Sequence, residues 1–167
     1  PMAGAGGNAD LGERTEVIRA GEAAPDFVLP DQDREEFRLS EAVKAGPVVL
    51  SFFPFAFTGV CSTEMRCVTD EIASWEGRGA RVVGISCDSP AALKAWAERD
   101  GLKHTLLSDL HRRVCRAYGL FWPELNVAQR GTVVIDGAAD GRGTVRWSQA
   151  REPGTAMEWD EVLAAIG

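Results

Sequence analysis

Thr58 and Cys61, three residues apart, follow Pro54 just past the apolar run Pro47–Phe53. In the stretch from Phe52 to Met65, FFPFAFTGVCSTEM, the proline ends a strand because it cannot donate to a ladder. Thr58 is a residue type that caps a helix N-terminus. Cys61 then falls near the third helical position, beside backbone N–H groups without intrahelical partners and the positive end of the helix dipole. Both favour the thiolate, which is the nucleophilic form of cysteine. Thr58 precedes Cys61 on the same helix face, so its hydroxyl can donate to the sulfur or orient an incoming oxygen. Pro54 and Phe55 carry no side-chain donor and screen the sulfur from water. The pattern fits a reactive thiol. The alternative is a small buried hydrophobe, the commonest role of a free cysteine.

The elements that must position this thiol follow from hydrophobic periodicity. PVVLSFF and ARVVGIS (Ala80–Ser86) are continuous apolar runs, which predicts buried central strands. Met65, Val68, Ile72 and Trp75 recur at helical spacing and predict one helix over about 59–76. SPAALKAWAERDG has a Ser cap, a Pro at the first position and a Gly stop, a second helix. Short strands are expected at Asp26–Leu29, Glu36–Leu39 and in HTLLSD, with Ser40 capping a short helix that stops at Gly46. Asp109 is expected to cap the helix carrying Val114 and Tyr118. RGTVVID and GTVRWSQ form a closing hairpin, and a last helix over 157–166 buries Trp159, Val162 and Ile166. Strands alternating with helices imply an α/β fold with a mixed sheet and helices on both faces, in an order that suits a thioredoxin-like architecture.

The 167 residues suit one domain, and the net charge of -7 argues against nucleic acid or an anionic membrane as the main partner. No run approaches the roughly 18 apolar residues of a membrane span. The start lacks the features of a secretory signal, so a cytoplasmic location with reduced cysteines is expected. Residues 1–14 are expected to be a disordered tail, with Pro1 ahead of Met2 as a tag remnant, and 15–167 the domain. Cys61, Cys67, Cys87 and Cys115 form no Cys-x-x-Cys, and only His104 and His111 could assist, so spacing predicts no zinc site. Cys87 and Cys115 are expected in the core or at its edge, and both histidines at the surface. Phe57, Phe121 and Trp122 are candidates for an apolar entrance.

PFAFTGVC resembles the active-site signature of the peroxiredoxins. RGTVVID resembles the strand carrying that family's active-site arginine, which makes Arg130 the match. VVGISCDSP and TLLSD fall at the expected places, and the resemblance runs from about Gly21 to the C-terminus. FTGVCSTEM and YGLFWPELNVAQRG are most similar to the one-cysteine, alkyl hydroperoxide reductase E type.

The resemblance implies a thiol peroxidase with no metal, haem or flavin. Cys61 would attack a peroxide oxygen, Thr58, Pro54 and Arg130 would frame it, and a sulfenic acid would result. Glu64 matches a family acid that orients Arg130 or a neighbouring arginine; a solvated helix-face glutamate is the alternative. The external reductant implied is mycothiol with a mycoredoxin, or a thioredoxin, and the assembly a homodimer.

Cys67 lies six residues past Cys61, whereas some relatives keep a resolving cysteine five past. In a helix that places the Cα atoms ~10 Å apart, beyond the ~7 Å limit of a disulfide. Cys67 is therefore expected to be a bystander. The competing readings are a thioredoxin-like disulfide oxidoreductase, which the missing Cys-x-x-Cys opposes, and a non-enzymatic thioredoxin-fold binding module.

Overall fold

The computed structural model describes Asn8 and residues 11–167. Strands β1 (Val28–Pro30) and β2 (Glu36–Arg38) pair antiparallel. Helix α1 (Leu39–Ala42) leads to the central strand β3 (Val48–Phe52). Helices α2 (Gly59–Asp70) and α3 (Ile72–Gly77) follow, then β4 (Arg81–Ser86), α4 (Pro90–Asp100), β5 (Thr105–Ser108) and α5 (Arg113–Ala117). A short pair, β6 (Phe121–Trp122) and β7 (Val127–Ala128), precedes β8 (Arg130–Ile135), β9 (Val145–Arg151) and α6 (Trp159–Ile166). The main sheet runs β5-β4-β3-β8-β9, with β3, β4 and β5 parallel, β8 antiparallel to β3, and β9 antiparallel to β8. It is the mixed sheet that the alternation implies.

The central strand is buried on both faces, and its period of two divides the core. Val48, Leu50 and Phe52 join one hydrophobic cluster with Leu39, Val43, Val114 and Tyr118. Val49 and Phe53 join the other with Met65, Val68, Trp75, Leu93, Trp96 and Val162. Helices α2, α3, α4 and α6 therefore cover one face, and α1 and α5 the other. Close approach of α2 to β4 requires Gly84, where a Cβ would stand 2.8 Å from Met65 Sδ.

Several expected boundaries move. The single helix over 59–76 is interrupted at Glu71 (φ -97°, ψ 15°). There Trp75 Nε1 donates to the Val68 carbonyl at 2.9 Å, the group that the Ile72 N–H would take in an unbroken helix. α1 starts one residue before Ser40, whose N–H goes to Asp26 Oδ1 at 2.8 Å. Asp109 caps α5 from a distance: Arg112 holds the N-cap position, while the Asp109 carboxylate accepts from Val114 N at 3.2 Å and Cys115 N at 2.8 Å. α6 begins at Trp159, two residues later than expected; Trp159 is half-buried, and Met157 N donates to Glu64.

The end of the expected tail is tied down. Asn8 exchanges two hydrogen bonds with the Val28 backbone, and Arg14 N donates to the Arg116 carbonyl at 3.0 Å. Residues 1–7, 9 and 10, including the expected tag remnant, lie outside the described residues.

His104 is also not at the surface. It is 3% exposed, with Nδ1 at 2.7 Å from Thr69 Oγ1 and Nε2 at 3.3 Å from Met65 Sδ. A thioether sulfur can only accept, so Nε2 carries the hydrogen and donates toward Met65 Sδ, and Nδ1 accepts from the Thr69 hydroxyl, which itself accepts from Lys103 N. Burial pushes the imidazole down to about 3 from an ordinary 6.5. The unfolded chain takes up this proton first, so the contribution is complete above pH 6.5 and lost as pH falls from 6.5 toward 3. Its size is at most roughly 5 kcal/mol. Urea midpoints measured over this range are expected to fall more steeply for the parent than for His104→Gln; parallel profiles would contradict the neutral buried imidazole.

Candidate active site

The site is built where β3 gives way to α2. Pro54 is buried after the strand, and the connecting loop is held from β4 by Asp88, which accepts from Ala56 N at 2.9 Å and from Ser86 Oγ at 2.7 Å. Phe57 adopts φ 66°, unusual for a bulky residue, with its ring against Trp96 and under Arg99. Thr58 is the N-cap residue by backbone geometry, and its carbonyl accepts the first helical bond from Ser62 N at 2.9 Å. Its hydroxyl donates to the Phe55 carbonyl at 2.8 Å, so it braces the loop in this state and is not bonded to the sulfur. Cys61 follows as the third residue of α2, only 1% exposed.

Arg130 reaches Cys61 because of strand parity. Val134, two strand pairs along β8, packs on the α2 face, so Arg130 and Thr132 point the same way. The cross-strand partner of Arg130 is Arg151, which faces the same helix. Arg130 Nη2 donates to Cys61 Sγ at 2.9 Å, Nη1 pairs with Glu64 Oε1, and Nε donates to the Pro153 carbonyl at 2.9 Å. Glu64 Oε2 accepts from Arg151 Nη2 at 3.0 Å and from Met157 N at 2.7 Å. Arg151 Nη1 is held by Thr132 Oγ1 at 3.0 Å.

Glu64 is thus a 1% exposed carboxylate between two guanidiniums, and the solvated alternative does not hold. Two guanidiniums and one carboxylate leave one positive charge in excess beside Cys61 Sγ. Burial pushes the Arg151 guanidinium down from its usual range, and the Glu64 charge opposes that.

A cleft of about 410 Å³ opens beside this cluster, lined by Trp122, Gln129, Arg130, Ala150, Arg151 and Pro153 among others. Trp122 lines this cleft. Phe121 instead lies beneath Arg116, 4.0 Å from its guanidinium carbon, and Phe57 packs on the α4 side. Cys67 is half-buried on the same unbroken helix as Cys61. Burial, followed by the charges of Glu71, Asp70 and Glu64, pushes its thiol up, away from the thiolate. Cys87 and Cys115 are both core residues.

Arg151 and Asp88 escaped the sequence reading. Arg151 had one usable signal, since pairing the closing hairpin in register sets it opposite Arg130. Asp88 had only its place just after a buried strand.

A family model described as AhpC/TSA matches residues 20–148. The chain belongs to the AhpC/TSA family of peroxiredoxins. It is 35% identical over 155 residues to alkyl hydroperoxide reductase E of Mycobacterium tuberculosis, covering 90% of this chain and 99% of that one. It is 37% identical over 107 residues to peroxiredoxin Bcp of Escherichia coli, covering 64% and 67%. Among solved structures, peroxidoxin BcpB of M. tuberculosis superposes with a TM-score of 0.78 at 30% identity, over 89% of this chain and 96% of that one. A Plasmodium vivax 2-Cys peroxiredoxin gives 0.79 at 27%, over 89% and 80%. The fold of this peroxiredoxin is thioredoxin-like α/β.

Proposed function

We propose that this peroxiredoxin is a thiol-dependent peroxidase that reduces hydrogen peroxide, organic hydroperoxides or peroxynitrite through a sulfenic acid on Cys61. The observation that carries the reading is the 2.9 Å contact between Arg130 Nη2 and Cys61 Sγ, with the rest of that guanidinium held by Glu64 and Pro153. The thiolate sulfur attacks one peroxide oxygen, the O–O bond breaks, and the second oxygen leaves with the bonding pair and takes a proton. Charge builds on the leaving oxygen in line with sulfur, where a fixed guanidinium stabilises it without reorganising. Pro54 keeps water from the sulfur. Thr58, one turn before Cys61, swings its hydroxyl from the Phe55 carbonyl to the incoming oxygen. Trp122, Ala150 and Pro153 give the cleft an apolar wall suited to the organic part of a hydroperoxide.

An external thiol then attacks the sulfenate, releasing water and leaving a mixed disulfide that a second thiol cleaves. The reductant is mycothiol with a mycoredoxin, or a thioredoxin, in the cytoplasm. Cys67 does not resolve: its helix is continuous from Gly59 to Asp70, and its thiol is held protonated by burial and nearby acids. One equivalent of peroxide without reductant is expected to add ~16 Da, trapped by dimedone on Cys61, with Cys67 still open to alkylation. Near-stoichiometric Cys61–Cys67 linkage would overturn the one-cysteine reading while leaving peroxide reduction intact. A mass unchanged by peroxide would remove the function itself.

The assembly is a homodimer built from loops and short strands around the site, including Phe121 and Trp122. Both are half-buried, and Leu125 beside them is 48% exposed. Sedimentation at micromolar concentration is expected to give twice the chain mass, and a single-chain mass would contradict the dimer.

A further inference from the structure

The sulfurs of Cys87 and Cys115 and a carboxylate oxygen of Asp109 lie within 4.8 Å of one another, all on buried residues. Cys87 directly follows β4, Asp109 directly follows β5, and Cys115 sits on α5, so three separate elements converge here. Both cysteines are free thiols. Cys115 Sγ also lies 3.4 Å from the Arg112 carbonyl oxygen. The carboxylate accepts from two backbone N–H groups and keeps further lone pairs free. No lysine or arginine pairs with it among the described residues: Arg112 donates Nε to the Asn126 carbonyl at 2.7 Å and Nη1 to the Leu110 carbonyl. A buried acid with two thiols therefore lacks a bonded cation.

The separations suit an ion. Zinc–sulfur bonds of about 2.3 Å and zinc–oxygen bonds of about 2.0–2.2 Å set tetrahedral ligand atoms roughly 3.5–3.8 Å apart. The Cys115 sulfur and the Arg112 oxygen already stand 3.4 Å apart. We propose that Cys87, Cys115 and Asp109 form a binding site for a thiophilic divalent cation of the zinc type, closed by the Arg112 carbonyl as fourth ligand. Binding makes two metal–sulfur bonds and releases the two thiol protons to solvent. Two thiolates and a carboxylate leave the occupied site with one net negative charge, which the nearby Arg112 charge balances. Four protein ligands leave no open position, so the ion is structural and takes no part in peroxide chemistry. Cys87 adjoins Asp88, which holds the loop ahead of Thr58, so the ion also steadies the residue that anchors that loop. Local spacing could not reveal the site because Cys87 lies far along the chain from Asp109, Arg112 and Cys115.

The test is metal loading of the reduced, full-length protein. Zn²⁺ is added in slight excess, free ion is removed, and X-ray absorption is recorded; Co²⁺ is titrated in parallel. One ion per chain is expected, with two sulfurs at about 2.3 Å and a tetrahedral thiolate spectrum with Co²⁺. Cys61→Ser is expected to retain that spectrum. Cys115→Ser is expected to weaken Co²⁺ binding by more than about 100-fold, beyond the 10–100-fold typical of losing an outer-shell partner. Cys87→Ser, at the edge of the cluster, gives the same readout should Cys115→Ser fail to fold. Failure to retain an ion, a shell with fewer than two sulfurs, or loss of the spectrum in Cys61→Ser would overturn the proposal.

Discussion

Cys61→Ser is expected to abolish peroxide consumption while leaving the fold and the thermal midpoint close to the parent's. Serine fills nearly the same space, so the 1% exposed position gains no cavity. Its hydroxyl stays protonated at neutral pH, whereas the reaction needs an anion that attacks oxygen and carries it away as a stable product. Sulfur forms a sulfenic acid and returns by thiol exchange; a serine oxygen has no such cycle. The variant also exposes the charge logic of the site. Arg130, Arg151 and Glu64 keep one uncompensated positive charge once the thiolate is gone, so an anion is expected to bind more readily near Arg130. Peroxide consumption is followed directly, with circular dichroism on the same sample. Retention of more than trace turnover by a folded Cys61→Ser would remove Cys61 as the nucleophile.

Arg130→Met is expected to slow oxidation of Cys61 by roughly 10²–10³-fold, the cost typical of losing one donor aimed at developing charge. The fold is expected to survive because Glu64 keeps Arg151 and the Met157 N–H as partners. Arg130→Lys is expected to recover little. An ammonium is a point charge on a flexible stem and cannot hold Cys61, Glu64 and Pro153 together as the planar fork does. Thr58→Val is expected to act in the same direction as Arg130→Met, and Thr58→Ser to be tolerated. Stopped-flow tryptophan fluorescence after peroxide addition measures the rate. Equal rates in Arg130→Met and parent would place the guanidinium outside the transition state and make it only a partner of Glu64.

Local signals carried much of this protein. The continuous apolar runs at β3 and β4, the proline after β3, and the Ser-Pro start and Gly101 stop of α4 are short-range features, and each element formed where its own residues dictate. The place of Cys61 at the third position of α2 is equally local. Arg130 was legible through its strand and a family resemblance, but its distance to sulfur was not. That distance depends on β8 lying beside β3 and on residues 130, 132 and 134 facing α2, a matter of register between strands far apart in the chain. Glu64 shows the limit most clearly. Its neighbours in sequence fit either a solvated helix face or a buried anchor. Two arginines from adjacent strands and the Met157 N–H, brought over α2 only by the folded sheet and the segment before α6, made it the anchor. His104 and the Cys87–Asp109–Cys115 cluster follow the same rule. What a residue and its near neighbours settle by propensity and capping was readable from the chain. What depends on which surfaces meet across the sheet was decided by tertiary packing, because burial and pairing of polar groups are set by partners that no local spacing encodes.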